Sequence, residues 1–218
     1  MKLTYFGHSS FLVQAADDTR IIIDPYRHGS YDGAVRYAPV GETADVVVAT
    51  HTHDDHGATD TVPGQPRVLV HPDSVTVGQV RITGVHVAHD DTGGSQRGKN
   101  TIVIIDDGEI RLAHAGDLGH TLDEATVKAL GPIDVLLVPV GGYFTIDHKQ
   151  AAAVVEAVNP RVVIPMHYKT EKIDFPIGPV EPFLATQKKV EHKDSPTLEI
   201  TKATLPAERV TIVLPYAR

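Results

Sequence analysis

The sequence predicts an α/β fold with mixed sheets and with helices on the outer faces. Three observations favour this class: an opening meander of strands, short apolar runs typical of buried strands, and an alternation of strands with helical patterns further along the chain. The sequence has no repeat at a solenoid period and no long linker. We therefore expect one domain that spans residues 1–218.

The strand predictions rest on apolar and β-branched runs that are bounded by turn signals. The run DVVVAT is continuously apolar, as expected of a strand that is buried on both faces. The tripeptide DDG predicts a hairpin between TIVII and EIRLAHA, because Asp-Gly accepts a positive φ. The predicted strands are Leu3–Phe6, Ser10–Gln14, Ile21–Ile23, Asp45–Thr50, Arg67–Val70, Gln79–Ala88, TIVII, EIRLAHA, Asp134–Val140, Arg161–Met166 and Arg209–Leu214.

Two helices are predicted from their capping patterns. The segment TLDEATVKAL begins with Thr121, has Glu124 at capping-box spacing, and ends at a Gly-Pro pair. The alanine-rich segment Ile146–Val158 has Thr145 as its expected N-cap and ends before an Asn-Pro pair. Residues 171–206 are rich in Pro, Lys and Glu, and the sequence assigns no element to them.

Composition and charge limit the class of function. The formal charge of −8, with a pI near 5.9, argues against a nucleic-acid surface, which needs clustered Lys and Arg. No apolar run approaches the length of about 20 residues that a membrane span requires. The N-terminus does not resemble a secretory signal, so we expect a cytoplasmic location. The absence of cysteine excludes disulfides, thiolate metal sites and cysteine nucleophiles.

Histidine and aspartate are concentrated at the ends of predicted strands. The chain has 13 histidines, and the stretch THTHDDHGATD holds three of them within six positions, beside two aspartates. In extended backbone His51 and His53 point the same way and can bind one ion, while Asp55 and His56 follow the turn and can face a second. Imidazole and carboxylate are good zinc ligands.

Further candidate ligands follow other predicted strands. His89, Asp117 and His167 each lie just beyond the end of a strand. Because sites in α/β sheets form outside the carboxyl ends of strands, we expect these side chains to meet the first cluster in one cleft. There Asp117 is suited to bridge two cations and to offset their mutual repulsion.

The pattern H-x-H-x-D-H, at positions 51 to 56, resembles the signature of the metallo-β-lactamase superfamily. The likeness is to its metal-dependent hydrolase branch, which includes ascorbate-phosphate lactonase. It extends to the motifs YFGHSSFLV, IIIDPY, HDDTGGSQRGKNT, AHAGDLGH, DVLLVPVGG and VIPMHYKT. The resemblance implies a four-layer αββα sandwich with mixed sheets and with the metal site at one edge. It also implies two ligand sets, which are His51, His53 and His89 for one metal and Asp55, His56 and His167 for the other, with Asp117 between them.

The third ligand of the first metal has three candidates. His86 lies within its strand, where a histidine is more often packed or hydrogen-bonded than ligating. His114 lies three residues before Asp117 and is suited to orient a ligand from behind. His89, at the end of its strand, fits best.

Other polar residues are candidates for supporting roles. His8, after the first strand, is predicted to bind substrate or donate a proton, and a turn histidine is the alternative. Asp24 resembles the family's aspartate behind the metal ligands, although Asp before Pro is also a common turn. Arg97 and Lys99 are candidates to meet an anionic substrate, with a solvated basic loop as the alternative.

These residues predict a metal-dependent hydrolase with a small-molecule substrate and no organic cofactor. Two divalent ions, zinc or else manganese or iron, would bind a hydroxide that attacks an ester, lactone or phosphorylated substrate. Asp55 is expected to orient the nucleophile, and metal-bound water, His8 or Tyr168 to protonate the leaving group. The alternatives are a phosphodiesterase or nuclease-type hydrolase and a di-iron redox protein on the same fold, whose relatives typically carry a glutamate where His53 stands. The sequence leaves the oligomeric state open.

Overall fold

The chain pairs its strands into two β-sheets in the computed structural model, which describes residues 1–218. The six-stranded sheet contains, in spatial order, β13 (Thr197–Glu199), β1 (Lys2–Gly7), β2 (Ser10–Gln14), β3 (Arg20–Ile23), β4 (Val46–Ala49) and β5 (Arg67–Val70). The eight-stranded sheet contains β12 (Val190–His192), β14 (Val210–Val213), β11 (Val162–Met166), β10 (Val135–Pro139), β9 (Arg111–His114), β8 (Lys99–Asp106), β7 (Val80–Ala88) and β6 (Ser74–Val77). Both sheets mix parallel and antiparallel pairs, which confirms the predicted class.

Strand direction brings several strand ends to the same edge of each sheet. In the six-stranded sheet, β1 and β2 are antiparallel, β2 and β3 are antiparallel, and β3 and β4 are parallel, so β1 and β4 run the same way. In the eight-stranded sheet, β7 and β8 are antiparallel, β8 and β9 are antiparallel, and β9, β10 and β11 are parallel. The carboxyl ends of β7, β9 and β11 therefore lie along one edge. The predicted DDG hairpin between β8 and β9 is confirmed.

The main core lies between the two sheets and contains 25 buried hydrophobic residues from both. Side chains alternate between the two faces of a strand, and β4 illustrates the consequence. Val46 and Val48 face the core between the sheets, whereas Val47 packs into a second cluster on the outer face of the six-stranded sheet. Because both faces of β4 are covered, its sequence is continuously apolar, as predicted.

Two outer layers complete the sandwich. An apolar cluster on the outer face of the eight-stranded sheet includes side chains of the helices α2 (Glu124–Leu130), α3 (His148–Val158) and α4 (Glu181–Leu184). The outer face of the six-stranded sheet is covered mainly by loops, among which Tyr26, Tyr37 and Ile173 are buried. The helical segments there are short, namely the four-residue turn α1 (Ser30–Gly33) and a 3-10 turn at Thr59–Thr61. None of the helices has the length and hydrophobicity that crossing a membrane would require.

Both predicted helices begin later than their capping patterns indicated. Asp123, rather than Thr121, caps α2, and its carboxylate accepts a hydrogen bond from a backbone N–H of the first turn. Asp147, rather than Thr145, caps α3 and forms a capping box with Gln150. An ionised carboxylate interacts more favourably than a hydroxyl with the positive end of the helix dipole, so the aspartates take the capping positions.

The strands that the sequence did not predict all lie at sheet edges. β13 ends the six-stranded sheet, and β12 and β6 are the two edges of the eight-stranded sheet. Each has only three or four residues and is partly exposed. Such short segments carry little periodicity, and tertiary pairing alone holds them extended. Helix α4 has only four residues, so its sequence also carries too little periodicity to predict it.

Candidate metal centre

The residues predicted as metal ligands follow strands whose carboxyl ends meet at one edge of the sandwich. His51 to His56 follow β4 and His8 follows β1, while the other three ligands follow β7, β9 and β11 in the facing sheet. The side chains form two adjoining groups in which every potential ligand atom lies within 4.8 Å of the others. The groups are His51, His53, His89 and Asp117, and His8, Asp55, His56 and His167.

The first group matches the ligand set expected for one metal. His89 Nε2 lies 3.0 Å from Asp117 Oδ2, and His51 Nε2 lies 3.6 Å from the same oxygen. The rings of His53 and His89 approach to 5.2 Å between their centroids. His51, His89 and Asp117 are buried, whereas His53 is exposed to the cavity above them.

Of the three candidates for the third ligand of this group, the structure brings only His89 into it. His86 is exposed on β7, and its Nε2 lies 2.8 Å from the carboxylate of Asp73. His114 is buried, but its Nε2 donates to the carbonyl of Ser9 at 2.8 Å and its Nδ1 accepts from the N–H of Gly116. Both nitrogens of His114 are thus engaged away from the cluster.

The second group adjoins the first through Asp117. Asp117 Oδ1 lies 3.0 Å from His56 Nε2 and 3.5 Å from His167 Nε2, whereas its Oδ2 faces the first group. The carboxylate therefore stands between the two groups, in the position expected of a bridging ligand. His8, predicted to bind substrate or donate a proton, lies inside the second group, with its Nε2 3.1 Å from Asp55 Oδ2.

The cluster has the unsatisfied atoms that a cation site needs. Four buried atoms at its centre have no hydrogen-bond partner, and these are His51 Nε2, His56 Nε2, His167 Nε2 and Asp117 Oδ1. Unpartnered polar atoms are costly in a protein interior, because they have lost their hydration. A divalent cation accepts these lone pairs and carries charge opposite to that of the carboxylates. The donor set therefore fits metal ions.

Asp24 supports the cluster from behind, in the place that the family resemblance implies. His56 Nδ1 donates to Asp24 Oδ2 at 2.8 Å, so Nε2 is the nitrogen of this ring that faces the cluster. Thr50 donates to the same carboxylate through its N–H and its hydroxyl, each at 2.7 Å. Asp24 is fully buried, and these bonds fix the ring orientation of His56.

The protonation states of His51, His167 and Asp117 fit metal ligands, whereas His56 is protonated in the metal-free protein and would give up a proton on binding an ion. Burial lowers the pKa of His51 and His167 to about 3, so both imidazoles are neutral at pH 7. Burial alone would lower the pKa of His56, but the carboxylates of Asp117 and Asp55 outweigh it and raise that pKa well above its usual value. Burial would raise the pKa of Asp117, but the surrounding histidines hold it well below its usual range. The carboxylate is thus ionised beneath the histidines.

Close backbone approach and strained backbone hold the ligand loops together. A Cβ on Gly119 would lie 2.2 Å from the backbone carbon of His89, so only glycine lets the loop after β9 pack against the loop after β7. His8 and His167 have φ values of 54° and 51°, and the N–H of His167 donates to the carbonyl of His8. Strain of this kind is typical of functional sites.

The cluster opens into a cavity of about 280 Å³. Beyond the clustered ligands, the cavity is lined by Tyr31, Gln96, Arg97, Phe144 and Phe175. Of these five residues, the sequence predicts a role in the site only for Arg97. Tyr31 lies in α1 and the two phenylalanines lie on loops remote from it in sequence, so no spacing linked them to the site.

Two sequence predictions do not reach this cavity. Lys99 lies at the start of β8 and is not among the lining residues. Tyr168 packs in the apolar cluster on the outer face of the eight-stranded sheet and is not among the lining residues either, so its role as a proton donor stays a prediction. A larger cavity of about 480 Å³ elsewhere has only polar and charged walls and contains none of the clustered histidines.

Comparison with known proteins identifies the family. Residues 2–167 match the profile of the beta-lactamase superfamily domain. The chain belongs to this superfamily. A UPF0173 metal-dependent hydrolase from Carboxydothermus hydrogenoformans is 30% identical to this superfamily member, over 78% of the chain and 85% of the relative. Another from Aeropyrum pernix is 32% identical, over 90% of the chain and 92% of the relative.

A solved structure agrees over nearly the whole length of the superfamily member. It is a Thermotoga maritima protein, provisionally named a Zn-dependent hydrolase of the metallo-beta-lactamase superfamily. The identity is 36% and the TM-score is 0.80, with 98% of this chain and 97% of the other covered. The resemblance found in the sequence is therefore confirmed at the level of the superfamily. This member belongs among the metal-dependent hydrolases.

Proposed function

We propose that the site holds two divalent metal ions and hydrolyses a small-molecule ester, lactone or phosphorylated substrate. The observation that carries the proposal is the position of Asp117, whose two oxygens face two different groups of histidines. Two ions bound there would polarise the substrate and lower the pKa of a shared water from about 15.7 toward about 7, which makes hydroxide available at neutral pH.

The ligand sets follow from the two groups. His51, His53 and His89 would hold one ion, and the second group would hold the other, with Asp117 between them. The second group contains Asp55, His56 and His167, and His8 offers a further nitrogen to it. This nitrogen-rich donor set favours zinc, with manganese or iron as alternatives.

Asp55 is held in one orientation by two donors. Tyr31 donates its hydroxyl to Asp55 Oδ1 at 3.0 Å, and His8 Nε2 lies 3.1 Å from Asp55 Oδ2. Burial would raise the pKa of Asp55, but the neighbouring His56 and His8 lower it well below its usual range. Asp55 is therefore an ionised carboxylate that can accept a hydrogen bond from the attacking nucleophile and keep it oriented.

His8 is placed to move a proton beside this carboxylate. It is fully buried, and its Nδ1 has no hydrogen-bond partner. A proton held on the ring can therefore pass to a leaving group without breaking a structural hydrogen bond.

The proposal is tested by metal content and by activity on matched substrates. The purified protein should contain two metal equivalents per chain and should hydrolyse a lactone or a phosphorylated small molecule. A chelator should abolish this activity and zinc should restore it.

The same measurements separate the alternatives. Turnover confined to a phosphodiester would favour the phosphodiesterase or nuclease-type reaction, and oxygen consumption with bound iron would favour the redox protein. A single metal equivalent at full activity would contradict the dinuclear site.

A further inference from the structure

We infer that the cavity selects substrates that carry an oxyanion, a carboxylate or a phosphate, on a small apolar or aromatic body. In this arrangement Arg97 binds the oxyanion, and Tyr31, Phe144 and Phe175 contact the body. The inference rests on the proposed hydrolytic function, because it concerns the substrate of the same site. It assigns binding roles to residues that are not metal ligands.

Arg97 is a free cation at the cavity. It is the only Lys or Arg among the nine lining residues, and no carboxylate lies within 4.0 Å of its guanidinium. By contrast, Arg27 and Arg36 elsewhere on the surface are paired with aspartates. The Arg97 Cζ lies 5.8 Å from the centroid of the Phe144 ring. A planar guanidinium with unused donors matches the geometry of a carboxylate or phosphate.

The loop that carries Arg97 is organised around one buried carboxylate. Asp90 accepts hydrogen bonds from the N–H and hydroxyl of Thr92 and from the N–H groups of Gly94, Gln96 and Arg97, at 2.7–2.9 Å. Only 2% of Asp90 is exposed. Because five donors converge on one side chain, the backbone of Arg97 is fixed before any ligand binds. Little loop entropy is then lost when the guanidinium takes up an anion.

Three aromatic side chains form an apolar wall beside Arg97. The ring of Phe175 meets the rings of Tyr31 and Phe144 edge to face, at centroid distances of 5.3 and 5.6 Å. Tyr31 is 48% exposed and has a φ of 52° in the left-handed region, which is strained for a tyrosine. An exposed ring held in strained backbone beside a cavity points to a ligand that covers it.

The size of the cavity limits the ligand. A volume of about 280 Å³ lies just below the range of about 300–1,000 Å³ found for small-molecule pockets. It accommodates a ring or short chain with one anionic group. The reacting bond would lie at the clustered ligands, and the anionic group at Arg97.

Two esters that differ only in charge test the inference on the zinc-loaded protein. The pair is 4-carboxyphenyl acetate and 4-carbamoylphenyl acetate, which have the same shape. The wild-type protein should have a KM at least about tenfold lower for the carboxylate, because only that ester offers an anion to Arg97. Arg97→Met should abolish the difference by raising KM for the carboxylate, with little change in kcat or in the kinetics of the carbamoyl ester.

Lys99→Met provides the matched control. It removes the same charge two residues away, at a side chain outside the cavity, and should change neither KM. Arg97→Lys should restore part of the preference, because it keeps the charge but loses the fork of donors. An effect of equal size in Lys99→Met would overturn the inference, since the preference would then reflect overall charge.

Binding of the two phenol products separates this inference from the proposed reaction. Wild-type zinc-loaded protein should bind 4-hydroxybenzoate more tightly than 4-hydroxybenzamide in calorimetric titrations, and Arg97→Met should not. Selective binding without turnover of either ester would support the anion site and count against the ester reaction. Equal hydrolysis of both esters, unaffected by Arg97→Met, would overturn the anion site and leave the hydrolase standing. Absence of selective binding would also overturn it.

Discussion

At the scale of single residues, the proposed dinuclear site depends on Asp117. Its two oxygens contact different groups, so one side chain couples His51 and His89 to His56 and His167. Without this carboxylate, two cations would repel one another across the site with less opposing charge between them. His56, whose pKa is raised, would also lose one of the carboxylates that balance its charge.

Replacement of Asp117 by alanine should cost the protein at least one metal equivalent per chain. Mass spectrometry of the metals in purified protein measures this loss. His192→Ala is the control, because His192 lies on the edge strand β12, away from the cluster, and its loss should leave the metal content unchanged. Full metal content in Asp117→Ala would contradict the bridging role.

Asp24 would act on a bound metal through His56, whose Nδ1 donates to its carboxylate. The Asp24→Asn variant keeps the size of the side chain but removes the charge that holds the His56 Nδ1 proton. We expect metal affinity to fall by about 10- to 100-fold, as for other partners of metal-ligating histidines. Competition with a chromophoric chelator measures this change. Asp32→Asn, at an exposed position, should leave the affinity as it is.

At the scale of elements, the loops after the strands place the ligands, and their glycines permit the close packing. The loop after β9 approaches the loop after β7 so closely that the Gly119 N–H donates to the carbonyl of Ala88 at 3.2 Å. There is no room for a side chain at this position, because the backbone of His89 occupies it. The position of His89 thus depends on Gly119.

The Gly119→Ala variant should displace the loop that carries His89. We expect a loss of about 1–3 kcal/mol in the free energy of unfolding, as for other overpacked sites, together with reduced metal content. Urea unfolding and metal analysis measure the two effects. Gly93→Asn is the control, because a Cβ at Gly93 meets no atom within 4 Å and asparagine tolerates the positive φ. Normal stability and metal content in Gly119→Ala would refute the packing argument.

Element boundaries illustrate where local patterns succeed and fail. The buried strand β4 and the DDG hairpin were predicted, because apolar runs and Asp-Gly turns act within a few residues. The N-caps were misplaced by two residues at each helix, where a threonine and an aspartate compete at nearby positions. In α3 the outcome depends on the tertiary structure, since the N–H of Ile146 donates to the carbonyl of Leu118 instead of joining the helix.

At the scale of the whole molecule, the buried histidines couple stability to pH in the metal-free protein. Burial lowers the pKa of His51 and His167 to about 3, from an ordinary value of 6.5. As the pH falls below 6.5, the unfolded chain binds protons that the folded protein does not. These two histidines therefore leave the free energy of unfolding at its full value above pH 6.5. They decrease it as the pH falls from 6.5 toward about 3. The pKa of His56 is raised, so the folded protein holds a proton that the unfolded chain has lost above pH 6.5. This histidine therefore makes stability fall as the pH rises, and it does so only above pH 6.5.

Metal-free protein should accordingly lose stability between pH 6.5 and pH 5. Each of the two histidines should contribute a loss of about 2 kcal/mol in this interval. Urea unfolding after chelation, at the two pH values, measures the slope. His167→Gln should reduce it by the share of one histidine, whereas His192→Gln should not change it. An unchanged slope in His167→Gln would contradict the assignment.

The sequence by itself determined the fold class, the buried strands and the ligand motif at positions 51 to 56, because each of these depends on residues that are close along the chain. It also placed polar side chains after particular strands. Whether those strands point the same way depends on sheet pairing, which is not a local property.

The tertiary structure alone decided which distant side chains share the site. It brought His89, rather than His86 or His114, against Asp117, and it engaged both nitrogens of His114 elsewhere. It also assembled the aromatic wall from three separate segments and left Arg97 unpaired beside it. The physical reason is that the distances between residues far apart in the chain are determined by how strands pair and sheets pack, and no short pattern of residues encodes them.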